Sequence, residues 1–451
     1  MTPLSAPVPP AAPISALKAW LAVTVLVIAE IISLLDRGVI NLVVDPIRRD
    51  IGASDVQISL LQGVAFVLFY VIVGIPLGAI ADLVQRRRLL AAGMAVWSVA
   101  TVAGGLVHDF TGLFASRVFV GLGEGVLGPC CVSMICDLFP TAQRGRPMSL
   151  YLLGGSIATG LSGVMTGAVL AAAAAGRLAA IPGVGALAPW RIAFVVAGAI
   201  GLIGALLVLL LPEPRRGGVV LATKRGLGLT QAARHFGRHW PVFAPFYLAI
   251  GLFTMASNSL ANWGPSYLIR HYHMPAATVG ARLGAVNIVA ALLGSALAWI
   301  VVDAVVKRRG LAGKLAFAPL IPLAALPCAL ATFAPSEGSA IVLLSVTIAV
   351  IPMFGSTLLS ATAELAPGDM KGVFASLYAF AASIIGATFG PFFVAFLTEK
   401  VFARPDLVGF SVFCVVAPSL LGSSLMLYLC ARGFHRMLKQ SPDFASIIAA
   451  H

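Results

Sequence analysis

Long apolar runs separated by short, mostly basic loops account for nearly all of this 451-residue chain. Apolar stretches of 18 or more residues with few charges read as membrane-crossing helices. Twelve such spans are predicted, at roughly 17–44, 57–82, 87–107, 110–138, 146–172, 190–211, 241–269, 276–303, 314–334, 339–363, 372–398 and 407–431. The stretch 173–189 is interrupted by Gly and Pro and carries Arg177, so it reads as a loop with a short interfacial helix. Residues 1–16 are rich in Pro and Ala and read as a loose tail, and 437–451 form a second tail. The run that follows the first tail is too long for a signal peptide and is expected to be a retained helix. Residues 212–240 are the one long polar segment, a linker between six-helix bundles at 17–211 and 241–436. The expected fold class is therefore an all-α membrane protein.

Composition agrees with this pattern. The chain is 59% hydrophobic and 10% charged, which excludes a soluble globular domain. The net charge of +13 does not point to nucleic acid, because the basic residues sit in short loops. Twenty Lys and Arg fall on the side that carries both termini, eight fall on the other side, and Arg37 and Arg117 lie within spans. By the positive-inside rule both termini are cytoplasmic. The Ala/Gly/Arg-rich composition suggests a bacterial inner membrane. All six cysteines lie in apolar stretches and read as small buried hydrophobes. The seven histidines lie in loops and tails; His271 and His273 have no Cys or acid at a ligand spacing, so no metal and no cofactor is expected.

The two halves echo each other. Asp82-Leu-Val-Gln-Arg86-Arg87-Arg88 follows the second span, and Asp303-Ala-Val-Val-Lys307-Arg308-Arg309 follows the eighth, offset by 221. Asp137-Leu-Phe-Pro140 with Arg144-Gly145 follows the fourth, and Glu364-Leu-Ala-Pro367 with Lys371-Gly372 follows the tenth, offset by 227. Two matches at nearly one offset argue for a duplicated six-helix unit.

Twelve spans as six plus six, with an acid and then a basic cluster between the second and third, resemble the major facilitator superfamily. The run Gly78-Ala-Ile-Ala81-Asp82-Leu-Val-Gln85-Arg86-Arg87 is similar to that family's loop motif, departing at Leu83, usually basic, and Gln85, usually Gly. The resemblance implies a cytoplasmic latch of Gly78, Asp82, Arg86, Arg87, Asp137 and Arg144, with Asp303, Lys307, Glu364 and Lys371 in the second half. The bland alternative is plain topology signal from loop charges. Three stretches resemble the Spinster-like branch: residues 34–63, Arg117-Val-Phe-Val-Gly121-Leu-Gly123-Glu124-Gly125, and residues 262–275. That branch implies transport of lysolipids, sphingoid phosphates or other amphiphiles, coupled to protonation of carboxylates on helices one and four, by a monomer.

Ionisable groups inside membrane helices are costly and normally functional. Asp36 and Arg117 lie about 11 Å below the outer boundary, and Glu30 and Glu124 about 21 Å, by helical rise. Residues seven apart share a helix face, which aligns Glu30 with Arg37 and Arg117 with Glu124. Two layers are expected: Glu30 with Glu124 at mid-depth, and Asp36, Arg37 and Arg117 above. Glu124 and Asp36 are the expected proton-coupling groups, tuned by Arg37 and Arg117, which alternatively bind an anionic headgroup with their planar forks. Glu30 either joins them or is a neutral acid hydrogen-bonded in a helix interface. A static network fixing helix packing is the competing reading.

The second half has no charges at the matching positions, which are Ser257, Asn258, Leu344 and Ile351, and it offers the neutral polar groups Ser257, Asn258, Asn262, Asn287, Ser356 and Thr357. Ser257, Asn258 and Asn262 with Phe66, Tyr70, Trp263, Tyr267 and Tyr378 make the expected substrate cavity, although packing is the commoner role for any single aromatic. Small residues at Gly155, Thr159, Gly163 and Gly167 allow close helix approach in the fifth span. The expected function is proton-coupled transport of an amphiphilic, anionic or zwitterionic lipid-like substrate, with no enzymatic activity. A proton-linked porter for small organic anions is the alternative. A membrane enzyme acting on lipid is the rival from another class, and no catalytic cluster supports it.

Overall fold

The structure is a computed structural model, and it describes residues 15–67, 69–70, 72, 84–140, 143–213, 225–366 and 370–440. Its described residues are helical apart from short connections. Among the described residues, ten helices are long and apolar enough to cross a membrane, so the chain is an integral membrane protein.

In the first half the elements are α1 (Ala16–Leu42), α2 (Val44–Ile51), α3 (Asp55–Gln62), α4 (Arg86–Gly104), α5 (Phe110–Glu124), α6 (Leu127–Leu138), α7 (Gly145–Ala174) and α8 (Pro189–Leu209). The expected second span begins with α3, whose N-terminus is closed by a capping box between Ser54 and Gln57. Nearly half of that span, including 73–82, lies outside the described residues. The expected fourth span is two helices, α5 and α6, meeting in a turn at Gly125 and Val126. Residues 175–187 are a run of turns and bends, as their Gly and Pro content predicts, and the expected short interfacial helix does not form there.

The segment α9 (Arg225–Arg238) makes part of the expected polar linker helical, with His235 packed near Phe243 and Phe374. Burial first, and then the neighbouring His239 and Arg238, push His235 down to about 4, so it is neutral near pH 7. The second half comprises α10 (Trp240–Tyr272), α11 (Ala276–Phe317), α12 (Leu320–Ala325), α13 (Glu337–Leu365), α14 (Lys371–Phe380), α15 (Gly390–Phe396) and α16 (Val408–Gln440). Within α11, Gly310 adopts φ 54°, which breaks the helix where the eighth span gives way to the ninth.

The two halves meet along α7 and α11, where glycines leave room for backbone contact. A Cβ on Gly160 would stand 2.6 Å from the Gly284 carbonyl, and one on Gly284 would stand 2.6 Å from the Gly160 carbonyl. Gly163 and Gly167 face Gly280 and Ala277 in the same way. The spacing predicted from the fifth span is thus used, with Gly155 turned instead toward Leu34 and Glu30. Buried apolar residues form two clusters. One joins the loop end of α1, around Val39–Val44, to most of the second half. The buried members of the other, around Ala19–Ile32, Met94 and Met134, all come from the first half, with Ile384 and Ala387 of the second packed against them. Among the described residues, the cluster whose buried members come from both halves is the one at the α1–α2 end.

Gly160→Leu is expected to lower the unfolding midpoint of the detergent-purified protein by several degrees, because overpacking a tight contact costs about 1–3 kcal/mol. An unchanged midpoint in a thermal melt would show that α7 and α11 do not hold this separation.

Candidate functional site

Three polar clusters occupy the first half, and they differ from the two expected layers. Arg37 reaches Glu124, with Nε and Nη2 each 2.5 Å from Oε2. Ser33, one turn before Arg37 on α1, donates its hydroxyl to the same oxygen at 2.8 Å. Glu124 is fully buried, whereas a third of the Arg37 side chain is exposed. The guanidinium lies over the Phe66 ring at 4.2 Å and near Tyr70 at 5.3 Å, and those rings stack on each other. Cation–π contact holds the fork flat against that wall.

The local sequence explains the placement of Glu124. A Cβ on Gly121 would lie 2.5 Å from the Phe66 carbonyl, and one on Gly123 would lie 2.6 Å from the Gly93 carbonyl. The two glycines let α5 press against its neighbours on two sides, and Glu124 is carried into the gap between them.

The second cluster is Asp36, Thr101 and Arg117. Thr101 donates to Asp36 Oδ2 at 2.7 Å, and Arg117 Nη2 lies 3.4 Å from the Thr101 hydroxyl. All three are buried, and Arg117 stands over the Phe194 ring at 4.9 Å. A hydroxyl, not direct contact, links the acid to the guanidinium. Asp36 and Arg37 do not share a layer as expected. Consecutive helix residues point about 100° apart, and the length of the Arg37 side chain carries its charge to Glu124. The third cluster removes Glu30 from Glu124: Tyr151 on α7 donates to Glu30 Oε2 at 2.5 Å. Glu30 lies two turns along α1 from Arg37, where α7 is its neighbour.

A cavity of about 240 Å³ opens between the halves beside these groups. Arg37, Arg117 and Phe66 line it from the first half, facing Ser257, Asn258, Asn262 and Asn287 from the second. Sequence reading missed Asn41, Gln62 and Thr347, which also line it. Asn41 stands four residues after Arg37 on the same helix face, and that spacing was the available signal. Gln62 donates to Asn41 Oδ1 at 3.1 Å.

Four expected cavity residues are not in its lining: Tyr70, which stacks on Phe66 beside the Arg37 guanidinium, and three that lie elsewhere. Trp263 is fully buried and donates its indole N–H to the Pro391 carbonyl at 3.0 Å. Tyr267 is 2% exposed and donates to the Ala331 carbonyl at 2.9 Å. Tyr378 packs against the core of the second half. Each ring fills an interface within one half, because its polar atom or its bulk is satisfied there.

At the termini end, Arg86 is 2% exposed and pairs with Asp137 at 2.5 Å while donating to Ser133 at 2.7 Å. Glu213, not foreseen, accepts from the backbone N–H groups of Arg86 and Arg87 at 3.0 and 2.9 Å, a carboxylate on the first turn of α4. Arg87 also donates to the Leu211 carbonyl, and Arg144 to the Phe139 carbonyl. In the second half Glu364 pairs with Lys314, which takes the place expected for Lys307 or Lys371. Gly78 and Asp82, and the side chains of Asp303, Lys307 and Lys371, lie outside the described residues.

The opposite end carries a tie that sequence reading counted only as loop charge. Arg270 on α10 binds Asp45 at 2.8 Å and Asp55 at 2.8 Å, joining the second half to the first. Arg48 lies 3.2 Å from Asp55, and Arg191 3.0 Å from Asp50.

Residues 26–391 match the Major Facilitator Superfamily as a family. The chain belongs to the major facilitator superfamily. This facilitator is 24% identical over 433 residues to an MFS-type efflux pump of Mycolicibacterium smegmatis, covering 93% of this chain and 94% of the relative. It is 28% identical over 324 residues to Protein spinster of Drosophila melanogaster, covering 67% of this chain and 50% of that longer protein. Its fold is similar to the crystal structure of a bacterial homolog of the human lysosomal transporter Spinster, in an inward-facing and unoccupied conformation. The TM-score is 0.74 at 23% identity, covering 96% of this chain and 99% of the other. The Spinster-like resemblance of the sequence is thus met again among relatives and in the fold.

Arg86→Gln removes one partner of a buried pair and is expected to destabilise this facilitator by about 3–5 kcal/mol. Arg87→Gln should cost far less, since its backbone bond to Glu213 survives. Equal melting shifts for the two variants would remove the buried pair from the fold's support.

Proposed function

We propose that this facilitator is a proton-coupled secondary transporter that moves an amphiphilic substrate with an anionic or zwitterionic head by alternating access. The observation that carries the reading is the Arg37–Glu124 pair, whose guanidinium faces the cavity while its carboxylate is sealed behind it. An anionic head that takes the Arg37 fork leaves Glu124 without its cation in a wall closed to water. An uncompensated buried charge costs several kcal/mol, and binding a proton removes that cost. Substrate and proton then depend on the same guanidinium. Asp36, joined to Arg117 through Thr101, is the second proton group, and Arg117 is the second headgroup cation. Glu30, bonded to Tyr151, has the role of a helix-interface acid.

The cargo reading is supported by the asymmetry of the cavity, charged on one wall and neutral on the other, and by the Spinster relatives. The two bodies that rock are 17–211 and 241–436, joined by 212–240. Both termini face the cytoplasm across a bacterial plasma membrane, so the end tied by Arg270 faces outward and the Arg86–Asp137 pair belongs to the cytoplasmic latch.

The test is uptake into proteoliposomes under an imposed pH gradient, comparing a lysophospholipid with a short organic anion. Gradient-driven movement of the lysophospholipid is expected, and its loss in Glu124→Gln with a normal melting curve. Movement of the short anion alone would overturn the cargo, and full coupling in Glu124→Gln would overturn the proton site. Arg37→Lys should slow transport about ten- to a hundredfold, the worth of one charge-assisted hydrogen bond. Asp36→Asn should flatten the pH profile of transport, and an unchanged profile would leave Asp36 a packing residue.

A further inference from the structure

A second recess, of about 560 Å³, lies on the outside of the second half and shares no lining residue with the central cavity. One wall is the last part of α16. Leu421, Leu425, Tyr428, Arg432, His435 and Lys439 recur every three or four residues and share one helix face. The stripe changes character along its length. Leu421, Leu425 and Tyr428 are 49%, 53% and 54% exposed, in a segment apolar enough to sit in hydrocarbon. Arg432, His435 and Lys439 follow, with Arg436 beside them, and all four line the recess.

The other wall is Ala316 and Pro319, at the close of α11, and the exposed Leu320 and Leu323 of α12 follow beyond the recess. The walls are pinned together where Ser424 donates to the Pro319 carbonyl at 2.8 Å. The recess thus sets Ala316, Pro319, Ala431 and Tyr428 beside four basic side chains, and the exposed Leu425 and Leu421 continue the α16 stripe away from it.

The mouth is not neutralised from within. Among the described residues, Arg432, Arg436 and Lys439 have no ion-pair partner, and no acid lines the recess. Lys314, a turn before Pro319, is already paired with Glu364. Exposed cations at the rim of an apolar groove at a membrane surface match one kind of molecule, with a charged phosphate at the surface and a chain running inward. Basic pockets between membrane helices hold anionic headgroups in this way, and Arg offers phosphate two parallel donors.

We propose that the groove between α12 and α16 is a binding site for an anionic phospholipid of the surrounding bilayer. Its phosphate rests on Arg432, Arg436 and Lys439, and one acyl chain follows Leu425 and Leu421. The site is separate from the transport cavity and stands whatever the cargo is.

The test is native mass spectrometry of the detergent-purified protein, titrated with phosphatidylglycerol or with phosphatidylcholine of the same chains. Wild type is expected to retain phosphatidylglycerol in preference, and so is Arg404→Gln, which removes an exposed cation paired with Asp406 at a distant loop. The variant Arg432→Gln/Arg436→Gln/Lys439→Gln should lose that preference, a fall of about tenfold or more for three surface cations. Equal retention of both lipids by wild type, or an undiminished preference in the triple variant, would overturn the site. Thermal melts serve as a second measurement, with Arg436→Gln alone should the triple variant fail to fold. Phosphatidylglycerol should raise the wild-type midpoint by more than phosphatidylcholine does, and by less in Arg436→Gln. Glycerol phosphate raising the midpoint as much as the lipid would overturn the lipid assignment and leave a phosphate site.

Discussion

A guanidinium and a carboxylate that meet in a wall of low dielectric constrain everything around them. An ionised Glu124 is not tolerable there alone, since an unpaired buried charge costs several kcal/mol, whereas Arg37 keeps a third of its side chain exposed to the cavity. Their contact at 2.5 Å fixes α1 against α5 at one height. Ser33 supplies a further donor to the same carboxylate oxygen, and Phe66 and Tyr70 give the guanidinium a flat surface. The cavity is shaped by this, because Arg37 cannot retreat into the protein without abandoning either the rings or the acid.

The pair is reachable only because small residues let the helices close in. Gly121 and Gly123 stand just before Glu124 in sequence and receive the backbones of the segment around Phe66 and of α4. Gly160 and Gly284 do the same between the halves. In a membrane, where apolar contact with lipid is as favourable as contact with another helix, close backbone approach supplies dispersion energy that side-chain burial does not. A single cluster of buried apolar residues then spans both halves at the α1–α2 end.

Most of the architecture was legible in hydropathy, because a backbone in hydrocarbon has to satisfy its hydrogen bonds within each helix. The identities of the buried charges were equally legible, since Glu30, Asp36, Arg37, Arg117 and Glu124 stand out in apolar runs. Their partners were not. Depth counting grouped Asp36 with Arg37, but it treats side chains as points, and an arginine reaches across a helical turn. It also carries no information about which helix lies alongside, so Thr101, Ser33 and Tyr151 went unseen as partners. Aromatics misled for a related reason: Trp263 and Tyr267 have polar tips that suit a cavity, and neighbouring carbonyls satisfy those tips in the core instead. Glu213 and Arg270 were hidden because a loop charge shows its sign in sequence but not its partner.

The two halves divide the electrostatic work unequally, and the division limits how they can move. Ionisable groups at the cavity come from the first half, whereas the second presents amides and hydroxyls. A neutral wall can slide past the charged one without breaking an ion pair at mid-depth. The strong tie between halves sits at the α1–α2 end, where one guanidinium, Arg270, holds two carboxylates, Asp45 and Asp55. Separating that end means withdrawing one cation from two anions at once, while Arg48 remains beside Asp55 and already shares its charge. In the proposed cycle the cavity is therefore free to re-form around Arg37 in either state, and the larger electrostatic barrier lies at the rim rather than at the binding site.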